Sequence, residues 1–420
     1  MTSPGMKSPV WHPFTQHALA PPPPLIARGE GAWLETVDGK RILDAISSWW
    51  VITHGHRHPA IMAAIKAQAD QLDQVIFAGF THQPAEDVAR DLIAIAPPDL
   101  AHVFYSDSGS TAVEVALKMA LGFWRNRSRP RHRILALEHA YHGDTIGTMA
   151  AGARGIFNAA YAPLLFDVER LPFPSSGREH ETLDTLKRMA PGAAALIVEP
   201  LILGAGGMLT YDAGILAQMR QICAEHETLF IADEVMTGFG RTGTLFACEQ
   251  AGIAPDILCL AKGLTGGALP LAATLCTPDI FDAHYSTDRT RTFFHSSSFT
   301  ANPVACAAAR ANLQIWAREN IRERIAELAG LQTRLLAPFR NDARFSDVRQ
   351  LGTITALDLK VSDPGYLAGL GPELAQFFLE RGILLRPLGN TIYVLPPYCV
   401  SPDELGAVYQ AIDKAAARFV

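Results

Sequence analysis

Residues 229–270 read LFIADEVMTGFGRTGTLFACEQAGIAPDILCLAKGLTGGALP, and the pattern in them decides what architecture to expect. Two apolar runs, 229–232 (LFIA) and 257–261 (ILCLA), are short and unbroken, as strands buried on both faces of a sheet are. Each run stops at one charged residue, Asp233 or Lys262. Glycines follow, at Gly238, Gly240 and Gly243 after the first and at Gly263, Gly266 and Gly267 after the second. In an open α/β sheet, ligands gather beyond the carboxyl ends of the strands. An acid and an amine delivered there suit carbonyl–amine chemistry. A lysine forms a Schiff base with an aldehyde cofactor such as pyridoxal phosphate, and a carboxylate keeps the pyridine nitrogen protonated. Lys262 and Asp233 are the candidates for these roles. A plain salt bridge or loop cap between strand ends would look the same at this level.

The stretch 238–243 (GFGRTG) also fits G-x-G-x-x-G, with Asp256 downstream, so a nicotinamide-dependent oxidoreductase is the rival from another class. Against it, Asp233 and Glu234 stand between strand and glycine turn, and TLFACEQAG, closed by Gly252, is short for a crossover helix.

The whole chain sets further bounds. With 420 residues, 49% of them hydrophobic, it can bury a large core, in two or three domains. A net charge of −6 and a pI near 6.2 argue against nucleic acid or an anionic membrane as partner. The six cysteines lie far apart with no C-x-x-C, which fits reduced core thiols rather than disulfides or zinc. The N-terminal MTSPGMKSPVWHPFTQ lacks the apolar stretch of a signal peptide, and no run approaches the roughly 20 apolar residues of a membrane span. A cytoplasmic protein without a metal is expected.

Along the chain, residues to about 30 read as irregular and end in four prolines. A hairpin follows, Trp33 to Val37 and Arg41 to Ile46 around Asp38-Gly39. Trp49 and Trp50, being adjacent, cannot face the same way on a strand, and core or dimer-interface packing is the favoured explanation of both from their residues alone. The comb His54-Gly55-His56-Arg57-His58 has no cysteine or carboxylate at ligand spacing, so a metal is not expected there. A strand at 103–105 enters a Ser/Gly turn at 106–110, whose Gly109 and Ser110 open a helix and suit a phosphate. Strands at 133–137 and 195–198 end in YHGD and in Glu199-Pro200 with a glycine loop. Strand–helix alternation from 103 to 262 predicts a mainly parallel sheet. Three serines, Ser296, Ser297 and Ser298, precede an alanine-rich helix. A smaller α+β unit is expected to start near Val348. Its last helix opens with Ser401 as cap, Pro402 and Glu404, a capping box. Arg386 sits in a turn ahead of Tyr393 and reads equally as a carboxylate fork or a surface arginine. The expected division is 1–50 as an N-terminal segment joining the small domain, 51–320 as the large domain and 321–420 as the small one.

The segments SDSGSTAVEVALKMA, YHGDT, EPLILGAGGM, IADEVMTGFGRTG, ILCLAKGLTGG and SFTANP, in one collinear order, resemble the class III pyridoxal-phosphate aminotransferases. The resemblance runs from about residue 11 to the C-terminus. It implies the fold-type I α/β architecture and a homodimer with its sites at the subunit interface. WHPFTQ, SSWWVITHGHRHP and RPLGNTIYVLPPY resemble the branch that aminates 8-amino-7-oxononanoate with S-adenosylmethionine as donor. By position the resemblance implies Lys262 as Schiff-base lysine, Asp233 as the ring-nitrogen partner and Tyr141 as the stacking aromatic, all three catalytic. It implies Gly109 and Ser110 at the phosphate, with Ser297 and Ser298 reaching it from the other subunit. Trp49, Trp50, Asp144, Arg386 and Tyr393 fall in the substrate pocket, Arg386 on the keto acid's carboxylate. Phe14 stands where a tyrosine is usual, Ser296 where glycine is common and Leu203 where glutamine is. The Phe14 departure keeps lysine as donor open, and with it another ω-aminotransferase acting on ornithine, 4-aminobutyrate or a diamine.

Overall fold

The apolar runs form the middle of a seven-stranded sheet in a computed structural model that describes residues 8–367 and 369–420. The absence of a signal peptide was read partly from residues 1–7, which lie outside the described residues. In space the strands run His102–Ser106, Ala272–Cys276, Ile257–Leu260, Leu229–Asp233, Ala195–Val198, Ile134–Leu137 and Glu169–Leu171. Leu229–Asp233 is parallel to both its neighbours, with Asp233 level with Cys259. Side chains alternate between two cores: Phe230, Ala232, Leu258 and Leu260 face one, Leu229, Ile231, Ile257 and Cys259 the other. Burial on both faces is why the sequence shows continuous apolar runs.

Ala272–Cys276 runs antiparallel to both strands beside it and was not anticipated. The short link 261–271 holds only a 3₁₀ turn, Lys262–Thr265, and has no room for the crossover a parallel return needs. The dinucleotide reading of 238–243 has no helix to open: the segment continues into the 3₁₀ turn Ala247–Ala251 and ends at Gly252.

The N-terminal segment is more ordered than expected. Ile26–Glu30 is a strand beside Trp33–Thr36, because the prolines stop at Pro24 and leave N–H groups free to pair. Arg41–Asp44 continues that sheet and pairs in parallel with Ile383–Leu384 from near the C-terminus. A second C-terminal sheet joins Phe345–Leu351, Ile354–Leu359 and Thr391–Val394, starting three residues before Val348. Arg349 ties it to the glycine loop by donating to the carbonyls of Gly207 and Met208.

The last helix, Pro402–Phe419, begins as its sequence requires: Glu404 N–H donates to Ser401 Oγ, and Ser401 N–H to Glu404 Oε2. Ser401→Ala removes the cap and is expected to cost about 1 kcal/mol. Amide hydrogen exchange over 402–419 should then quicken in the first turn, and unchanged protection there would show the cap to be dispensable.

Candidate active site

Three strand ends place the site's charged groups. Asp233 closes Leu229–Asp233, Glu199 follows Ala195–Val198, and Lys262 follows Ile257–Leu260. Asp233 is buried, and His142 Nδ1 donates to its Oδ2 at 2.7 Å. The other carboxylate oxygen accepts from the N–H of Val235 at 3.2 Å. The opposite nitrogen of the same imidazole, Nε2, is buried without a partner. Glu199 accepts from the backbone N–H groups of Tyr141 and Gly204, both at 2.9 Å, and so fixes two loops around the site. Burial, reinforced by the charge of Asp233, pushes its carboxyl up to about 7. Burial pushes the Lys262 amine down to about 8, against the opposing pull of Asp233 and Glu199. An amine poised near neutrality in a closed site is what a nucleophile or general base needs.

Lys262 itself stands at φ 45°, an unusual backbone for an L residue, at the start of its 3₁₀ turn. Asn312, fully buried, holds that turn by donating to the carbonyls of Gly263 (2.9 Å) and Leu264 (3.0 Å). His54 Nε2 lies 2.9 Å from Asn312 Oδ1 and donates to it, since burial pushes this imidazole down to about 3 and keeps it neutral.

On the other side lies the turn before the helix Gly109–Asn126. Ser108 caps this helix by accepting from Thr111 N–H. The N–H groups of Gly109 and Ser110 precede the helical ladder and point out of its first turn. A Cβ on Gly109 would lie 2.5 Å from Val235 Cγ1, next to Asp233, so this turn and the acid strand pack as closely as glycine allows. Asp144 N–H donates to Ser110 Oγ, which brings the Tyr141-to-Asp144 loop against the same turn; the Asp144 side chain is exposed. These groups fit pyridoxal phosphate: a helix start that takes an anion, a carboxylate fixed by an imidazole, an amine and an aromatic ring.

The tryptophans are not on a strand. The turn Ser47–Trp50 holds four successive non-glycine residues at positive φ, from 45° to 73°. Left-handed backbone costs roughly 1–2 kcal/mol per L residue, so the surroundings must enforce it. The two rings part company. Trp50 is buried, 5.9 Å from the Tyr393 ring and with Lys262 Nζ 4.6 Å above it. Trp49 is 38% exposed, with the Arg386 guanidinium 4.8 Å above its ring and the ring of Phe14 at 5.6 Å. Trp50 Nε1 and the Tyr393 hydroxyl are both buried without partners. Arg386 is half-buried and pairs with no carboxylate among the described residues.

Ser296, Ser297 and Ser298 stand apart from this group. Among the described residues they bond to one another, to Thr300 and to Gln74. The histidines of the comb take separate partners, His54 meeting Asn312, His56 Asp44 and His58 Glu319, while the rings of His54 and His58 lie 5.8 Å apart edge to face. Sequence reading placed His142 and Glu199 in strand-end loops without giving them a role, and passed over Phe157, whose ring lies 6.0 Å from Phe14. The place of His142 and Glu199 at strand ends was the available signal.

Comparison with known proteins agrees with this geometry. Residues 15–416 match the family described as "Aminotransferase class-III". A Synechococcus elongatus protein named adenosylmethionine-8-amino-7-oxononanoate aminotransferase is 49% identical over 96% of this chain and 97% of its own. One of the same name from Geobacter sulfurreducens is 39% identical, covering 97% and 95%. Among solved structures, an adenosylmethionine-8-amino-7-oxononanoate aminotransferase from Methanocaldococcus jannaschii superposes with a TM-score of 0.94 at 35% identity, covering 98% and 97%. A PLP-bound amine transaminase from an uncultivated Pseudomonas species gives 0.92 at 35%, covering 99% and 100%.

The lowered Lys262 pKa is measurable. Apoprotein should take up pyridoxal phosphate at a rate that rises with pH and levels off above about 8, as the neutral amine becomes the dominant form. Rapid-mixing absorbance checks this, and a flat profile contradicts it. Because the folded amine titrates lower than the unfolded one, the unfolded chain binds more protons between about 8 and 10.5. The penalty for burying Lys262 therefore falls as pH rises through that window.

Proposed function

The chain belongs to the class III aminotransferases, and from that premise we propose that it moves an amino group from S-adenosylmethionine to the keto group of 8-amino-7-oxononanoate, as a cytoplasmic homodimer. The observation that carries this reading is a pair of cations set over adjacent tryptophans. The Lys262 amine lies 4.6 Å from the Trp50 ring, and the guanidinium of Arg386, unpaired among the described residues, 4.8 Å from the Trp49 ring. A keto acid whose carboxylate is remote from its reacting carbon suits two such cations. The aromatic faces, both of them already beneath a cation, suit a sulfonium donor.

Pyridoxal phosphate, the cofactor of this transaminase, supplies an aldehyde that exchanges amines and a ring that accepts an electron pair. The chain's own residues do the rest. Lys262 Nζ holds the cofactor, then takes the proton from the donor carbon and, in the second half-reaction, returns one to the acceptor carbon. Asp233, fixed by His142, presents a negative charge to a protonated ring nitrogen. Tyr141, its backbone held by Glu199, offers a ring face. Gly109 and Ser110 offer N–H groups to a phosphate, and Ser297 and Ser298 offer hydroxyls to the phosphate of a second copy. Arg386 takes the acceptor's carboxylate, Tyr393 and the tryptophans line its chain, and Phe14, Asp144 and Ser296 complete the substrate contacts, Ser296 with the neighbouring serines of the second copy. Among the described residues no helix is long and apolar enough to cross a membrane.

A second reading has its own support. Phe14 brings no hydroxyl to the mouth, and the amine transaminase likeness is as close in identity as the Methanocaldococcus one. It makes lysine the donor, or ornithine, 4-aminobutyrate or a diamine the substrate. A donor screen with 8-amino-7-oxononanoate as acceptor separates the two: S-adenosylmethionine should give the highest kcat/KM, and turnover with another amine but not with it selects the second reading.

Lys262→Ala should lower turnover by at least about 10²–10⁴-fold with circular dichroism unchanged. Residual turnover near the parent level contradicts the assignment. Arg386→Ala should raise KM for the keto acid by roughly ten- to a hundredfold and leave the donor's KM within about twofold. An equal rise in both would remove Arg386 from the acceptor's carboxylate.

A further inference from the structure

The left-handed turn that carries both tryptophans is tied to its surroundings by Ser47 Oγ on the Leu395 carbonyl, by Arg241 on the Trp50 carbonyl, and by one carboxylate beneath it. Asp44 is fully buried and accepts four hydrogen bonds. Three come from the turn and its approach: the N–H groups of Ile46 (3.3 Å) and Ser48 (2.9 Å), and Ser48 Oγ (2.7 Å). The fourth comes from His56 Nε2 at 2.8 Å. A carboxylate offers about four acceptor positions, so Asp44 is saturated by the turn and this one imidazole.

His56 is placed independently of the turn. Its backbone exchanges hydrogen bonds with Gly31, at 2.7 and 3.3 Å. The preceding Gly55 stands at φ 96°, where a Cβ would lie 2.6 Å from Cys399 Sγ and 3.0 Å from Gly31 Cα. The imidazole is thus a fixed post, and Asp44 is the clasp between it and the strained backbone. On the far side of the turn, Trp50 meets Tyr393 and Lys262, and Trp49 meets Arg386 and Phe14. Each of the two cations thus rests on an indole, so the setting of the two rings bounds the acceptor that fits between them.

We propose that Asp44 and His56 form a positioning pair that locks the tryptophan turn and thereby fixes the length of acceptor the pocket accepts. The inference rests on the reading above that Trp49 and Trp50 face substrate, and it gives neither member of the pair a part in proton transfer. Releasing the clasp lets the turn relax toward right-handed backbone, which swings the indoles while Lys262, on another strand, stays where it is.

The test uses holoenzyme and the donor–acceptor pair that the screen finds active, so failure of the substrate reading shows in the screen and failure of the clasp shows here. In His56→Ala, KM for the keto acid should rise by about tenfold, kcat should stay within about twofold, and the cofactor's visible absorption should be unchanged. Preference for the natural acceptor over one shortened by two methylenes should shrink in parallel. His56→Gln, whose amide can donate to Asp44, should restore KM to within about threefold of the parent. Unchanged KM in His56→Ala, a His56→Gln variant as impaired as His56→Ala, retained chain-length preference, or loss of cofactor absorption in both variants each overturns the proposal.

Discussion

Burying the Lys262 amine beside Asp233, at the carboxyl edge of a parallel sheet, is the constraint to which the rest of the site answers. Removal from water drives the amine toward its neutral form, and the nearby carboxylates draw it back, leaving it at about 8. Neither group could stay there without support. Asp233 has His142, and the Lys262 turn has Asn312 backed by a neutral His54. Glu199 is itself held by the two loops it organises. Asp233, Glu199 and the Lys262 turn are thus each matched by a partner that does not compete for a ligand, as polar networks in cores require.

The same logic explains the GFGRTG stretch, whose glycines suggested a nucleotide. Arg241 is 1% exposed and donates to the carbonyls of Trp50 (3.3 Å), Ile52 (2.8 Å) and Pro396 (3.0 Å), with Tyr398 beneath its guanidinium. Its planar fork collects carbonyl oxygens from two distant segments, a task a lysine could not perform with the same geometry. The positive φ of Gly240 and the tight approach of its α-carbon to Ile325 and Trp316 let the chain enter that space. The glycines serve the packing of the tryptophan turn rather than a pyrophosphate.

What was legible in the sequence was local. The doubly buried strands declared themselves as unbroken apolar runs, and the chemistry at their ends as lone charges before glycine. The capping box at Ser401 was readable to the residue. The family resemblance brought Tyr141, Arg386 and the serines, which spacing alone left undecided. The strand Ile26–Glu30 was missed because four prolines just before it dominate the local composition, and Ala272–Cys276 because its neighbours set its direction, not its own residues.

The sequence by itself determined the fold class, the strand ends that bear the acid and the amine, and the helix start that faces them. Only tertiary structure decided that His142 belongs to Asp233 at a separation of 91 residues, that Arg241 reaches back 191 residues to Trp50, and that Asp44 holds four residues in a left-handed turn. Periodicity reports burial over a few neighbours because side chains repeat along one strand or helix. Partners joined by chain closure leave no such repeat, and a strained backbone becomes affordable only once those partners have met.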